Sequence, residues 1–286
     1  IDVGNMTGRL GADDMHDEVM HGIRKAMDEA KPDAWLVAEN GDFVASDLNG
    51  FGWHGAMNYQ GFMRPVWNWV NLNTTIGGGF QGLPFSMPKI NGNQLVASMN
   101  SFNGSIPWRS LVASMVLLDS HDTARMRTVV LGDKKLHLTA MALLLTYPGV
   151  PSIFAGDEIG LEGSSGEDSR RTINWEDTSS WDLDFLSEVK QLISIRKKHD
   201  AFINGGLRWV LVEDDCLAFL RESKKETILV FVSRKAVKTS IDLNKLGYVA
   251  KESLYGISGD GSTITINEGN PAQGVWVLES SQKLSG

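Results

Sequence analysis

The stretch "LVASMVLLDSHD" at residues 111–122 decides the fold class, because an apolar run there ends abruptly in polar residues. Such a run is typical of a strand that is buried on both faces of a parallel sheet. The same pattern occurs in "DAWLVAEN" at residues 33–40 and in "VPSIFAGDE" at residues 150–158. A further short strand is predicted near "HGAMNY" at residues 54–59. These strands end in polar side chains that could carry chemistry.

Helical segments separate the strands. The first is preceded by the acidic residues Asp13 and Asp14 and followed by Pro32, as is typical of a helix. Its apolar residues recur every four positions, at Met15, Val19, Ile23 and Met27. Further helices are predicted over 64–75, near Gln94, over 134–147 and over 184–199, with a Gly-rich connection at 76–108. This alternation predicts parallel βα units, whose polar strand ends gather on one face.

The pattern changes near residue 205, after which short apolar strands alternate with turns and no long helix is predicted. Six strands are expected, over residues 207–212, 216–221, 227–233, 237–242, 263–266 and 274–279. Short strands at such spacing, over about 80 residues, favour an antiparallel β-sandwich domain. We therefore predict an α/β domain at residues 1–203 and a β-sandwich domain at residues 204–286.

Charge and cysteine content restrict the function classes. The chain has 286 residues and a net charge of −8, so its electrostatics give no reason to expect nucleic acid or an anionic membrane as partner. A neutral substrate fits better. Cys216 is the single cysteine, which leaves neither a disulfide framework nor a cysteine metal cluster and is compatible with a cytoplasmic location.

Three strand-end acids, Asp2, Glu39 and Asp122, are spaced so that one or more βα units of about 30 residues fit between them. They could therefore converge on one barrel mouth. Retaining glycoside hydrolysis needs such a cluster, because one carboxylate attacks the anomeric carbon and a second, about 5–5.5 Å away, protonates the leaving oxygen. The alternative is structural, since any one such acid is more often a helix cap or a salt-bridge partner.

Several segments resemble the α-amylase family of glycoside hydrolases, in that family's order. "IDVGN" (1–5), "WLVAENGDF" (35–43) and "LLDSHDTAR" (117–125) resemble three of its characteristic segments. "MNYQGF", "PGVPSIFAGDEIGLEG" and "RRTINW" resemble further landmarks. The pattern is most similar to the neopullulanase, cyclomaltodextrinase and maltogenic amylase group, and it covers roughly residues 1–200.

The resemblance implies a fold and a set of site residues. The fold is the C-terminal part of a (β/α)8 TIM barrel, about strands 4–8, followed by a β-sandwich. Asp2 matches the nucleophile, Glu39 the general acid/base, and Asp122 the third carboxylate that holds the distorted sugar ring. The substrate-binding residues implied with them are His121, Asn5, Arg125, Tyr59 and Arg171.

Structural alternatives stay open for several of these residues. His121 could be a satisfied structural histidine, and Asn5 could cap a turn. Most aromatic residues of this chain are expected in the core, with Tyr59, Trp108 and Trp175 as the candidates for sugar-stacking platforms. Asp157 and Glu158 resemble a metal pair, but we expect them to pair with Arg170 or Arg171 or to bond to backbone amides, and we predict no metal ligands.

The implied activity is retaining hydrolysis of α-1,4, or also α-1,6, bonds in maltodextrins, cyclodextrins or pullulan, with transglycosylation as a further outcome. The partner is then an α-glucan oligosaccharide or polysaccharide. No organic cofactor is implied, and calcium is left open. The alternative function is an inactive α-glucan-binding or oligomerisation module.

The front of the family's barrel is absent from this sequence. Ile1 alone precedes Asp2, so the arginine found two positions before the nucleophile in the family is missing, as are the first three strands. Five strands cannot close a barrel and leave two open edges, so we expect the chain alone to be unstable or prone to aggregate. Three explanations are open. Either the parent enzyme is longer and contains the missing strands, or a partner chain or a second copy supplies them, or the half-barrel is an inactive module.

Overall fold

The computed structural model describes residues 1–41, 43–71 and 87–281, and these divide into two compact units. Unit 1 comprises residues 1–66, 96–117 and 149–152, and unit 2 comprises the described parts of 67–95, 118–148 and 153–286. Residues 72–75 of the predicted helix and residues 76–86 of the predicted Gly-rich connection lie outside the described residues.

Unit 1 contains a row of parallel segments. After a hairpin of β1 (Arg9–Leu10) and β2 (Asp13–Asp14), the strands are β3 (Val37–Ala38), β4 (Gly55–Ala56), β5 (Met115–Leu117) and β6 (Val150–Ser152). Ile1 pairs beside β3, β3 pairs with β4, a bridge between Met57 and Met115 joins β4 to β5, and β5 pairs with β6. Parallel strands thus occur where the apolar runs predicted them, although each covers only two or three residues.

Helix α1 (His16–Ala30) packs on the core through a face that includes only part of the predicted one. His16 and Met20 are buried, whereas Met15 is 52% exposed and precedes the first helical turn. The reason is that Asp13 and Asp14 belong to the β1–β2 hairpin, so the helix begins later than the acidic residues suggested. Ile23 and Met27 pack on the core of Met20, Leu36, Ala38, Leu48 and Trp53.

The remaining helices follow in chain order: α2 (Arg64–Val70), α3 (Gly92–Asn103), α4 (Trp108–Ala113), α5 (Met126–Val129), α6 (Lys134–Thr146), α7 (Gly166–Ser169), α8 (Leu183–Lys198) and α9 (Asp200–Asn204). Helices α6 and α8 match their predicted ranges within one residue at each end. Each begins at an aspartate whose carboxylate accepts amide protons of the first turn, Asp133 for α6 and Asp182 for α8.

The C-terminal part of unit 2 consists of two antiparallel sheets. Its strands are β7 (Gly206–Val212), β8 (Cys216–Glu222), β9 (Thr227–Ser233), β10 (Val237–Asp242), β11 (Tyr248–Gly256), β12 (Thr263–Glu268) and β13 (Gln273–Ser280). The larger sheet has the order β11-β13-β9-β8-β7, and β10 pairs with β12. Apolar residues of both sheets form one core, including Phe231, Ile264 and Trp276. The predicted sandwich is therefore present from residue 206 onward.

All six predicted strands of the sandwich are found, and β11 is an additional one. Strand β11 has no clear apolar pattern, because exposed Lys251, Glu252 and Ser253 interrupt its apolar residues. Two register shifts also break its pairing with β13. Helix α9 ends at Asn204 and β7 begins at Gly206. The domain boundary between residues 203 and 204 stays a prediction.

Within the described residues, no helix combines the length and the apolar character needed to cross a membrane.

Candidate active site

Asp2 and Glu39 lie on neighbouring parallel segments of unit 1. The amino group of Ile1 donates to the carbonyl oxygen of Val37 at 2.8 Å, and the amide of Glu39 donates to the carbonyl oxygen of Ile1 at 2.8 Å. These two bonds pair Ile1 with Ala38, so Asp2 and Glu39 each follow a paired residue by one position. Neighbouring strands are about 4.8 Å apart. The fold of unit 1 therefore places these two acids side by side at the carboxyl ends of two strands.

The backbone after Asp2 turns toward Glu39. Val3 has φ 43° and ψ 51°, a left-handed conformation that costs a branched residue on the order of 1–3 kcal/mol. In this conformation the Val3 amide donates to Oε2 of Glu39 at 2.9 Å, and the Gly4 amide donates to the Glu39 carbonyl oxygen at 2.7 Å. A Cβ on Gly4 would lie 2.7 Å from the Cβ of Ala38. The segment that carries Asp2 thus orients the Glu39 carboxylate.

Two predicted sugar-contacting residues of unit 1 differ in accessibility. Asn5 is half-buried in a short turn, and its carbonyl oxygen accepts a hydrogen bond from Arg9. Tyr59 is only 2% exposed, and its hydroxyl lies 3.9 Å from the sulfur of Met57. A ring this deeply buried offers no face to a sugar, so the structure gives Tyr59 the environment of a core residue.

In unit 2, His121 and Asp122 lie at the tip of a turn formed by residues 119–126. Oδ2 of Asp119 accepts the amide proton of Met126 at 2.6 Å and so ties the two ends of the turn together. Inside the turn, the Asp122 amide donates to Oγ of Ser120 at 3.2 Å. The side chains at the tip are 58% exposed for His121 and 22% exposed for Asp122. Both are within reach of solvent and therefore of a ligand.

Arg170 holds the Asp122 carboxylate. Its Nη2 donates to Oδ1 of Asp122 at 3.0 Å, and its Nε donates to the carbonyl oxygen of His121 at 3.0 Å. Gly166 packs on the same turn, because a Cβ there would lie 2.9 Å from the carbonyl carbon of Asp122. The sequence interpretation paired Arg170 with the acids at 157–158, so its contact with Asp122 is a correction.

Arg125 was predicted to line the sugar path, but its side chain is 1% exposed. Its Nη1 donates to Oδ1 of Asp157 at 2.8 Å, and its Nε and Nη2 donate to the carbonyl oxygen of Ser169 at 3.0 and 2.8 Å. The guanidinium also lies 4.1 Å from the ring centroid of Phe154. Protein atoms enclose this group, so Arg125 supports the turn from the interior and is not available to a sugar in this structure.

The other loop acids and Arg171 have local partners. Glu158 accepts the amide proton of Gly156 at 2.8 Å, which is the predicted kind of backbone bond. Asp157 pairs with Arg125, so its predicted partner, Arg170 or Arg171, is wrong. Arg171 pairs with Asp168 at 2.7 Å and keeps 54% of its side chain exposed. Its contact with sugar stays a prediction.

A buried carboxyl pair, which the sequence interpretation missed, adjoins this turn. Burial raises the pKa of Asp119, and burial together with the charge of Asp119 raises the pKa of Asp157 well above its ordinary value, against the opposing effect of Arg125. Oδ1 of Asp119 has no fixed donor among the described residues. Two carboxyl groups in hydrogen-bonding reach can satisfy each other only through a shared proton. The raised pKa values of both groups favour such a shared proton.

The tryptophans divide between core and surface. Trp53, Trp67 and Trp69 are at most 3% exposed, whereas Trp108 is 46% and Trp175 is 70% exposed. The candidates for stacking platforms that remain accessible are therefore Trp108 and Trp175. Whether they bind sugar is a prediction.

The structure brings the predicted catalytic residues together only in part. Asp2 and Glu39 are adjacent in unit 1, and His121 and Asp122 share one turn in unit 2. The convergence of all three carboxylates on one site stays a prediction.

A family model described as the α-amylase catalytic domain matches residues 11–184, which is more than half of the chain. The chain belongs to the α-amylase family. A cyclomaltodextrinase from a Bacillus species is 31% identical over 77% of this chain and 38% of its own length. An amylopullulanase of Thermoanaerobacter thermohydrosulfuricus is 27% identical over 91% of this chain and 19% of its own length. Membership therefore rests on sequence matches that cover most of the chain.

A solved structure supports the family's fold. The debranching enzyme from Nostoc punctiforme superposes with a TM-score of 0.80 and 22% identity, over 92% of this chain and 56% of that enzyme. The family is one of TIM-barrel enzymes with a C-terminal sheet, and the parallel row of unit 1 and the sandwich strands agree with that architecture. The chain spans less than two fifths of the length of the two curated relatives.

A calcium ion, which the family resemblance left open, finds no matching ligand set in the described part of the chain. There, no group of three or more His, Cys, Asp or Glu side chains is placed to hold a metal ion. Asp157, the acid that most resembled a ligand, is bound to Arg125. We derive no step through a metal.

Proposed function

We propose that the protein to which this chain belongs is a retaining α-glucan glycoside hydrolase. It would act on α-1,4 bonds, or on both α-1,4 and α-1,6 bonds, of maltodextrins, cyclodextrins or pullulan, with transglycosylation as a further outcome. Its relatives are named cyclomaltodextrinase and amylopullulanase, and its structural neighbour is a debranching enzyme, which supports this substrate class. In this proposal residues 1–203 supply about strands 4–8 of the barrel and residues 204–286 supply the sandwich domain.

The observation that carries the proposal is the juxtaposition of Asp2 and Glu39. Their backbones follow the paired residues Ile1 and Ala38 on adjacent parallel segments. The interstrand spacing of about 4.8 Å is close to the separation of about 5–5.5 Å between the two carboxyl groups of retaining glycosidases. Inverting enzymes need a wider gap, about 6.5–9.5 Å, to admit a water molecule. The backbone spacing is compatible with the retaining separation, and retention itself is carried over from the family resemblance.

The roles follow from this geometry. Asp2 attacks the anomeric carbon, and the bond to the leaving oxygen breaks as Glu39 donates a proton to that oxygen. Glu39 then takes a proton from water, whose oxygen replaces Asp2 at the anomeric carbon. Glu39 is suited to both steps because the Val3 amide holds its Oε2 at 2.9 Å and fixes its direction. Asp122 would contact hydroxyls of the distorted ring, with its carboxylate oriented by Arg170 at 3.0 Å.

A trapping experiment tests these assignments. The full-length protein and this chain alone are assayed on maltotriose and on a nitrophenyl α-glucoside. A fluorinated glucosyl fluoride then traps the covalent intermediate, and peptide mass spectrometry locates the sugar, which we expect on Asp2. Asp2→Asn should reduce turnover to background, and Glu39→Gln should reduce it by about 10²–10⁴-fold.

Asp33→Asn serves as the matched control, because Asp33 is an exposed carboxylate of the same unit. It should leave turnover unchanged. Near-normal rates in Asp2→Asn or Glu39→Gln would remove that residue from its assigned role. A full-length protein that binds α-glucan but leaves it uncut would support the alternative of a binding module.

A further inference from the structure

Asp119, Arg125 and Asp157 form a buried charged group next to the turn at residues 119–126. Asp119 is 3% exposed, and Arg125 and Asp157 are each 1% exposed. Ionised groups are costly to bury unless their charges are paired and their hydrogen bonds are made. One guanidinium balances one carboxylate, so a proton on the second carboxyl group is what keeps this group neutral.

The group is connected to both ends of the turn. Asp119 accepts the Met126 amide proton at 2.6 Å, and the Arg125 amide donates to the carbonyl oxygen of Gly163 at 2.9 Å. The Arg125 guanidinium also binds the carbonyl oxygen of Ser169, whose hydroxyl in turn donates to the carbonyl oxygen of Thr123 at 2.7 Å. Main-chain positions on either side of Asp122 are thus fixed by buried side chains.

We propose that Asp119, Arg125 and Asp157 are positioning residues that hold the turn at 119–126, and with it Asp122, in the orientation that the reaction requires. All three are buried, so they would act through the turn. This inference rests on the proposed function, because Asp122 is the residue through which the three would act. Misplacing a catalytic group by about 1 Å can cost about 10²-fold in rate, so residues that only position Asp122 can still affect the rate strongly.

The proposal distinguishes two substitutions at one position. In the wild type, Asp157 accepts from Arg125 through Oδ1 at 2.8 Å and interacts with the carboxyl group of Asp119. In Asp157→Asn, the amide oxygen can accept from Arg125 and the amide NH2 can donate to Asp119, so both contacts are kept. In Asp157→Ala both contacts are lost, so the Arg125 guanidinium loses the carboxylate that it binds at 2.8 Å and only Asp119 remains to balance its charge.

Steady-state kinetics of the full-length protein test this. For Asp157→Ala we expect kcat to fall by at least about 30-fold, with KM within about threefold of wild type, because Asp122 acts mainly on the transition state. Asp157→Asn should keep kcat within about threefold, since its hydrogen bonds are conserved. Arg125→Lys should give an intermediate loss even where Asp157→Ala does not fold, because a single ammonium cannot span Asp157 and Ser169 as the guanidinium fork does.

Asp47→Ala is the matched control for losing a buried aspartate. Asp47 is 5% exposed and lies in unit 1, where it accepts from Ser46 at 2.9 Å and lies 3.3 Å from His16. It should lower the unfolding midpoint without lowering kcat at temperatures where the variant is folded. Equal kcat losses in Asp157→Asn and Asp157→Ala, or a folded Asp157→Ala with wild-type kcat, would overturn the proposal.

Amide hydrogen exchange separates this inference from the proposed function. Peptides covering residues 119–126 should exchange faster in Asp157→Ala than in wild type and at the wild-type rate in Asp157→Asn and Asp47→Ala. If the wild-type protein cleaves no glucan, the proposed function fails, and this exchange pattern alone decides whether the three residues hold the turn. Identical exchange in all variants would show that they do not.

Discussion

The shared proton of Asp119 and Asp157 predicts an unusual dependence of stability on pH. Burial and the charge of Asp119 raise the pKa of Asp157 well above its ordinary value, so the folded protein keeps this proton to a higher pH than the unfolded chain does. In the unfolded chain both carboxyl groups are ionised above about pH 5. The folded state therefore binds one more proton, and the free energy of unfolding falls by about 1.4 kcal/mol for each unit of rising pH until the pair ionises.

Asp157→Asn removes this dependence, since an amide neither binds nor releases the proton. The difference in unfolding free energy, variant minus wild type, should therefore increase by about 1.4 kcal/mol per pH unit. Between pH 5 and pH 8 the ceiling is about 4 kcal/mol, reached if the pair keeps its proton throughout. The positive charge of Arg125, whose Nη1 lies 2.8 Å from Oδ1 of Asp157, lowers the pKa of Asp157 and so narrows the pH range over which the difference increases.

Urea denaturation of wild type and Asp157→Asn at unit steps from pH 5 to pH 8 measures this difference. All other titrating groups are common to the two proteins and cancel in it, so the slope reports the pair alone. Parallel stability curves, or a variant that loses stability relative to wild type as pH rises, would refute the shared proton. Asp168→Asn gives a contrasting case, because hydrogen bonds from Ser164 and Arg171 lower the pKa of half-buried Asp168 to about 2. The difference for this variant should be flat from pH 5 to pH 8, and the wild type should lose stability relative to it only as the pH falls from about 4 toward 2.

Three further predictions concern other parts of the chain. Burial and the charge of Arg127 hold the pKa of His137 well below its ordinary value. The free energy of unfolding should therefore fall as the pH drops below about 6.5, where the histidine of the unfolded chain binds a proton. His137→Gln should reduce that loss in urea titrations at pH 5–7. Arg221→Met should lower the unfolding free energy by about 1–3 kcal/mol, because it removes the buried guanidinium that donates to carbonyl oxygens of Thr146, Phe202, Gly205 and Gly206. A urea midpoint shift no larger than that of Arg208→Met would contradict this. Trp175→Ala should raise the Kd for maltoheptaose about 2–10-fold in calorimetric titrations, since the Trp175 ring is 70% exposed and presents a face for stacking; unchanged affinity would exclude this platform.

Much of the secondary structure could be predicted because local pattern and final environment agree. The apolar runs at 216–221 and 227–233 became central strands β8 and β9, buried along nearly their whole length. Helix α6 was predictable because its N-terminal Asp133 and the Pro148 that follows it fix its limits in sequence. The beginning of α1 was not predictable, because the acidic residues that resemble a helix start lie in the β1–β2 hairpin.

The neighbourhood of Asp2 and Glu39 could be predicted from parallel pairing. Glu39 follows an apolar strand, and Ile1 pairs beside Ala38, so the residues after them are neighbours. Their catalytic roles stay predictions. The roles of Arg125 and Tyr59 were not predictable, because whether a polar side chain faces solvent depends on distant partners. Arg125 finds its carboxylate 32 positions away in sequence, which no local pattern encodes.

The segment "DSHD" shows why chemistry cannot be assigned from residue type alone. Asp119 and Asp122 are separated by two residues, and either could be proposed as a strand-end catalytic acid. The turn between them, held by the Ser120 hydroxyl, sends Asp119 into the interior and leaves Asp122 partly exposed beside Arg170. Environment sets the charge and therefore the role of a carboxyl group. The buried acid is suited to hold the backbone through a shared proton, and the exposed acid, paired with an arginine, is suited to meet a sugar hydroxyl.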